Sequence, residues 1–272
     1  MAITIKTPQE LDTLREGGKR LAAILKEVVS AAKPGVSTLD LDVLAERLII
    51  EQGGRPSFKG YTIPDAPVPY PASICASVNE EVVHAIPRKG RVLNNGDIVG
   101  IDIGMWWPDN ADPKRSKKER SKGSRELCTD MAVTIGIGEI SEDAQQLIAT
   151  TREALRAGIE AVKPGIRFGD ISYAIQSVLD KQGFGIVRGL AGHGLGYELH
   201  EEPLIPNYGH PATGPEVKEG MVIAIEPMAT LGSDDVDIED DGWTFTTKDK
   251  SLAAHFEHSL IVTADGSEII TQ

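Results

Sequence analysis

The chain of 272 residues has only two cysteines, Cys75 and Cys128. They are too few for a disulfide framework and form no Cys-x-x-Cys pair, so in a reducing compartment they stay free thiols. No apolar run is long enough to span a bilayer, and the opening Met1-Ala2-Ile3-Thr4-Ile5-Lys6 lacks the regions of a signal peptide. The expected setting is therefore the cytoplasm, with no membrane partner. An excess of positive charge is also missing. The net charge of −13 argues against general affinity for nucleic acid, DNA included, and fits a soluble protein, expected here as a monomer. A single-helix zinc site of the His-Glu-x-x-His kind is absent too, because Pro203 follows His200-Glu201-Glu202.

What is present begins with Gly192-His193-Gly194-Leu195-Gly196-Tyr197-Glu198-Leu199-His200, which holds two of only six histidines. Its glycines permit positive φ and close backbone approach, and they must bend the chain if both imidazoles are to face one cavity. Any metal held here must draw its other ligands from elsewhere.

The length predicts one or two domains with a sizeable core, and a repeat favours a single domain over 1–272, with halves of about 8–138 and 142–270. Periodic apolar residues predict a helix, or two, over Pro8 to Ala32, stopped by Pro34-Gly35. A second helix is expected from Ser37-Thr38 to Gly53-Gly54, followed by an irregular, proline-rich stretch from Arg55 to Pro71. Glu142 to Val162 repeats the first helix and its Lys-Pro-Gly stop, and Asp170-Ile171 repeats Asp40-Leu41. His84-Ala85-Ile86-Pro87 matches His200-Glu201-Glu202-Pro203 as His-x-x-Pro. Gly96 to Asp102 matches Gly220 to Glu226, each an apolar strand ending in a carboxylate. Asp130 to Ile135 matches Glu257 to Val262, each a carboxylate opening an apolar strand.

Period-two alternation puts Gly100 with Asp102, and Ala224 with Glu226, on one face of their strands. If the halves close about a pseudo-twofold axis, Asp102, Asp130, Glu226 and Glu257 meet at the centre. Such acids repel one another unless protons or cations neutralise them. With His193 they form an oxygen-rich set with one nitrogen, suited to two divalent ions, Mn, Fe, Co or catalytic Zn. Each acid alone reads as a solvated strand end; the repeated placement is what makes a site of them. The acidic run Asp234 to Asp241 alone reads as a solvated loop.

Val83 to Pro87, Gly96 to Gly104, Gly192 to Gly196, His200 to Pro203, Ile225-Glu226-Pro227-Met228 and Phe256-Glu257-His258-Ser259 together make the chain resemble methionine aminopeptidases of the shorter, type I bacterial class. The resemblance spans essentially the whole chain. It implies an α+β pita-bread fold: pseudo-twofold duplicated half-domains, a curved antiparallel sheet with helices on its outer face, and a site in the concavity. It also implies that Asp102, Asp130, His193, Glu226 and Glu257 bind two divalent metal ions, with Asp130 and Glu257 shared. His84 and His200 are then substrate-facing, and Tyr70, Cys75, Leu199 and Trp243 line a methionine pocket.

The activity so implied is removal of the N-terminal methionine of nascent polypeptides before a small second residue. Glu226 would shuttle the proton of the attacking water, His200 would stabilise the oxyanion, and His84 would contact the scissile amide. The rival readings are an X-Pro peptidase of the same fold and a non-catalytic binding protein of that fold. Ala85 stands where the family usually has glycine, and Leu199 where it usually has an aromatic. Between Asp102 and Asp130 lies a basic insertion, about 106–126, which also contains Asp109 and Asp112; the strand Met131 to Thr134 favours Asp130 as the ligand. From Lys114 to Arg125 the insertion is nearly free of apolar residues. It is expected to be a solvated loop, either without further role or as a contact with ribosomal RNA.

Overall fold

The computed structural model describes residues 3–64, 66–110 and 125–272. Helix α1 spans Pro8–Ala31 as one continuous helix and α2 spans Thr38–Glu51. Thr7 and Ser37 cap them, each reciprocated by an acid three residues on, Glu10 and Asp40. Strands β1 (Arg55–Pro56), β2 (Ile74–Val78), β3 (Glu81–Val83), β4 (Ile98–Trp107) and β5 (Leu127–Gly136) follow. Helices α3 (Glu142–Ala161) and α4 (Phe168–Gln182) then open the second half. At the start of α4, Asp170 accepts from the Arg167 backbone N–H at 2.9 Å, as Asp40 accepts from that of Ser37 at 3.1 Å. The anticipated correspondence of the two helix starts thus has a physical basis: both acids satisfy a backbone donor at a helix N-terminus.

The remaining strands are β6 (Gly185–Ile186), β7 (Ala191–Gly194), β8 (Glu201–Pro206), β9 (Val222–Ile225), β10 (Met228–Thr230), β11 (Val236–Ile238), β12 (Phe245–Thr247), β13 (Ala253–His255), β14 (Glu257–Val262) and β15 (Ser267–Ile269). A nine-stranded sheet runs β1-β4-β5-β14-β9-β7-β8, with β2 added to β4 and β15 to β14. Two three-stranded sheets, β13-β10-β6 and β11-β12-β3, accompany it.

Alternation along β4 separates core from site. Val99, Ile101, Ile103 and Met105 pack with Leu21, Ile24 and Leu25 of α1 and with Leu41, Ala45 and Ile49 of α2. In the other half, Ile223, Ile225, Leu260 and Val262 pack with Leu147, Ala154 and Leu155 of α3 and Ile171 and Ile175 of α4. The helices therefore cover one face of the large sheet, and the opposite face carries Gly100, Asp102 and Gly104. No helix among the described residues is long and apolar enough to cross a membrane.

Two local expectations change. Arg55 and Pro56, read as irregular, pair with Trp106 and Met105 at the sheet edge, where proline's missing N–H costs no ladder bond. The acidic stretch from Asp234 to Asp241 is not wholly loop: Val236–Ile238 pairs with Phe245–Thr247, leaving Asp237 and Ile238 exposed. Of the insertion expected over 106–126, Trp106 and Trp107 belong to β4, opposite Cys128 and Leu127. Residues 111–124, including Asp112 and most of the basic run, lie outside the described residues.

Candidate metal centre

Neighbouring strands of the large sheet each bring one candidate ligand: Asp102 from β4, Asp130 from β5, Glu257 from β14, Glu226 at the end of β9 and His193 from β7. The register puts them together. Asp130 lies opposite Gly104, Asp102 and Glu257 both lie opposite Ala132, and His193 lies opposite Ala224, two residues before Glu226. The small partners leave the space above the sheet to the carboxylates. Gly192 is required for this closeness, since a Cβ there would stand 2.5 Å from the Ala224 carbonyl oxygen.

Asp130, His193 and Glu257 offer atoms within 4.8 Å of one another, a spacing that suits a divalent metal. Glu226 Oε1 lies 3.6 Å, and Glu257 Oε1 3.9 Å, from His193 Nε2. His193 Nδ1 sits 2.9 Å from the Gly194 carbonyl oxygen. A carbonyl can only accept, so the proton belongs on Nδ1, and Nε2 keeps its lone pair for a ligand. Asp102 Oδ1, Asp130 Oδ1 and Glu257 Oε1 are buried with no hydrogen-bond partner among the described residues. Oxygens so placed are costly unless something binds them, and a cation answers that need.

The electrostatics agree. Burial pushes Asp102 up to about 6, opposed by His255 and reinforced by Glu226. Burial likewise holds Asp130 and Glu257 well above the usual carboxylate range, and the neighbouring acids add repulsion. The ionised forms are disfavoured without a compensating positive charge. Burial acts oppositely on the imidazoles, lowering His84 and His193 to about 4 and His200 to about 3, so all are neutral near pH 7. A neutral His193 is the form that can ligate.

The two histidines of the glycine-rich stretch do converge: their rings are 4.5 Å apart and nearly perpendicular. His84 has φ of 57°, an uncommon conformation for a non-glycine residue and one that concentrates at functional sites. Its ring meets Phe245 edge to face at 5.6 Å. Every sequence-predicted site residue lines one cavity of about 210 Å³: His84 and His200, the metal-ligand candidates, and Tyr70, Cys75, Leu199 and Trp243. These last four belong to a buried apolar cluster with Phe58. Trp243 packs edge-on against Tyr70 at 5.2 Å, and its Nε1 donates to the Val68 carbonyl at 2.9 Å. Asp109 does not line the cavity; its backbone N–H bonds to Gly53.

Sequence reasoning missed Tyr61, Phe245 and His255. Tyr61 and Phe245 line the cavity. His255 is buried, with Nε2 3.4 Å from Glu226 Oε2. Tyr61 lay in the proline-rich stretch and His255 beside an apolar run, so no local spacing marked either.

The sequence profile of Metallopeptidase family M24 matches residues 12–111 and 123–264. A methionine aminopeptidase of Clostridium acetobutylicum is 44% identical over 269 residues, covering 99% of this chain and 98% of its own. Methionine aminopeptidase 1 of Bacillus subtilis is 44% identical over 270 residues, covering 99% of each. The crystal structure of methionine aminopeptidase from Thermotoga maritima superposes with a TM-score of 0.88 at 40% identity over 100% of both chains. An Xaa-Pro dipeptidase from Bacillus anthracis, at 23% identity and a TM-score of 0.72 over 98% of this chain and 62% of its own, shares the fold alone. With its family profile, its full-length relatives and its pita-bread architecture in agreement, the chain belongs to metallopeptidase family M24 and, within it, to the methionine aminopeptidases.

Proposed function

We propose that this protein removes the N-terminal methionine from polypeptides, preferring a small second residue. The observation that carries the reading is that one cavity is lined both by Asp102, Asp130, His193, Glu226 and Glu257 and by the apolar Tyr70, Cys75, Leu199 and Trp243. In this reading Asp102, Asp130, His193, Glu226 and Glu257 would together hold two divalent cations, with Asp130 and Glu257 shared between them. Cations bound there supply Lewis acidity and an acidified water.

The chain's own groups do the rest. The apolar wall takes the methionine side chain, an unbranched thioether that fits a narrow slot which charged or β-branched side chains do not. Glu226 accepts the proton of the attacking water and passes it to the leaving amine. His200, neutral through burial, donates to the carbonyl oxygen as negative charge develops on it. His84 contacts the scissile amide. The rings of His84 and Phe245 crowd the cavity, which favours a small residue after methionine.

The test is hydrolysis by the Mn²⁺-loaded protein of three peptides beginning Met-Ala, Met-Lys and Ala-Pro. Release of methionine from the first alone is expected. Equal cleavage of Met-Ala and Met-Lys would sink the specificity, and cleavage of Ala-Pro in preference would favour an X-Pro peptidase.

A further inference from the structure

We propose that His255 is a positioning residue for Glu226: its Nε2 holds one oxygen of that carboxylate and turns the other toward the cavity. The inference rests on the reading of Glu226 as ligand and proton carrier. The two oxygens of Glu226 face two different imidazoles, with His193 Nε2 3.6 Å from Oε1 and His255 Nε2 3.4 Å from Oε2. His193 lines the cavity; His255 does not, and is 3% exposed. One carboxylate oxygen thus faces the ligating nitrogen of the cavity imidazole, and the other faces the buried imidazole behind it.

His255 is unusually well fixed for such a task. Its backbone N–H donates to Thr134 Oγ1 at 2.9 Å, and its carbonyl accepts from the same hydroxyl at 2.7 Å. Thr134 lies on β5, four residues after Asp130, so one threonine ties His255 to a ligand-bearing strand. On its other side His255 pairs with Met228, two residues after Glu226. The Glu226 backbone is held separately, its carbonyl accepting from Asn207 Nδ2 at 3.0 Å. What remains free is the carboxylate's rotation, the quantity His255 can set.

His255 Nε2 is buried and has no hydrogen-bond partner among the described residues. A buried imidazole N–H calls for an acceptor, and the 3.4 Å separation needs only a small tightening to become a hydrogen bond. A neutral ring with its proton on Nε2 suffices. Supporting partners of this kind commonly change metal affinity by about 10- to 100-fold when removed.

The experiment uses the full chain freed of metal with a chelator. Mn²⁺ affinity is measured by titration calorimetry, and kcat and KM on a Met-Ala peptide at saturating Mn²⁺, for the parent, His255→Leu, His255→Asn, His255→Gln, Glu226→Gln and the double variant His255→Leu/Glu226→Gln. His255→Asn keeps a polar group that falls short of Glu226, and serves if the leucine variant does not fold by circular dichroism. The expected results are about tenfold or greater loss of Mn²⁺ affinity in His255→Leu or His255→Asn, a fall in kcat with little change in KM, and recovery in His255→Gln, whose amide nitrogen reaches the place of Nε2. In the double variant the leucine should add little to the loss caused by Glu226→Gln. Parental Mn²⁺ affinity and kcat in both loss variants, failure of a folded His255→Gln to recover, or fully multiplicative effects in the double variant would each overturn the positioning role. If Glu226→Gln itself binds Mn²⁺ and turns over like the parent, the underlying reading of Glu226 is overturned instead.

Discussion

The hydroxyl of Tyr61 lies 2.7 Å from His200 Nδ1, against the imidazole that the proposed function assigns to the developing oxyanion and not against a metal-ligand candidate. Burial keeps that ring neutral, so one of its nitrogens donates and the other accepts. A phenol donating to Nδ1 fixes the proton on Nε2, where it can meet a developing oxyanion. Tyr61→Phe frees the ring to take the wrong tautomer while keeping its edge-on packing at 5.2 Å. The expected outcome in steady-state kinetics is a kcat lower by about tenfold, the worth of one hydrogen bond, with KM nearly unchanged. A parental kcat would mean that something other than Tyr61 sets the tautomer.

The raised carboxyl groups make a second prediction, about cation binding and pH. Asp102 titrates near 6, with Asp130 and Glu257 also above the ordinary range, so in the metal-free protein protons compete with cations for the same oxygens. Metal binding must release those protons. Mn²⁺ affinity should therefore weaken as pH falls, Asp102 taking up its proton near 6 and the raised Asp130 and Glu257 adding to the loss. Thermal melting offers an independent reading, since free Mn²⁺ at 100 times its dissociation constant should add about 2.7 kcal/mol of stability. A melting temperature indifferent to Mn²⁺ would argue against the site.

These groups differ in how far the sequence disclosed them. Asp102 was legible because period-two alternation in β4 separates Gly100, Asp102 and Gly104 from the apolar face of Val99, Ile101 and Ile103. The first two helices were legible from apolar periodicity and from Ser37-Thr38 as a capping region, whereas the reciprocal acids Glu10 and Asp40 emerge from the structure. His255 and Tyr61 were not, since their importance comes from long-range pairing: His255 reaches Glu226 through the register of β13 with β10, and Tyr61 reaches His200 across 139 residues. Leu199 was placed in the cavity by resemblance alone, and its neighbours Phe58 and Tyr70 come from the far end of the chain.

A third prediction concerns the N-terminal segment, which supports the loop bearing His200. Lys6 Nζ lies 2.8 Å from Glu201 Oε2, and both side chains are almost fully buried. Thr4 donates to the same oxygen at 2.6 Å, while Oε1 accepts from the backbone N–H groups of Tyr197 at 2.5 Å and Glu198 at 3.1 Å. Burial alone would raise Glu201, but these donors outweigh it and leave the carboxyl below its ordinary range. A depressed carboxyl contributes stability that is present above its unfolded pKa and lost as pH falls through the folded one. Glu201→Gln leaves Lys6 buried without its counter-charge and should cost about 3–5 kcal/mol at pH 7 by denaturant unfolding. The difference from the parent should shrink as pH falls below the ordinary carboxylate range. A gap that stays constant down to pH 3 would exclude Glu201 as the titrating group.

The last prediction tests the apolar wall through Trp243. Its backbone N–H and that of Thr244 donate to Asp241 Oδ1, each at 2.8 Å, which fixes the turn that presents the indole. The indole Nε1 reaches across to Val68, so the ring bonds to a second loop as well as packing on Tyr70. Trp243→Ala removes a buried ring, leaves the Val68 carbonyl without its donor, and widens the cavity on the side expected to hold methionine. Stability should fall by about 3–5 kcal/mol, as for other large-to-small changes at buried aromatics. The kinetic effect should be selective: kcat/KM for a Met-Ala peptide is expected to drop at least about tenfold, the worth of a methylene or two of lost pocket contact. That for a Phe-Ala peptide should rise relative to it, because the bulkier side chain gains the space. Trp243→Phe, which restores most of the ring but not the indole donor, separates the two contributions. If it recovers selectivity without recovering stability, the ring surface sets the pocket and the Val68 bond serves the fold. An unchanged Met-to-Phe ratio in Trp243→Ala would remove Trp243 from the specificity wall.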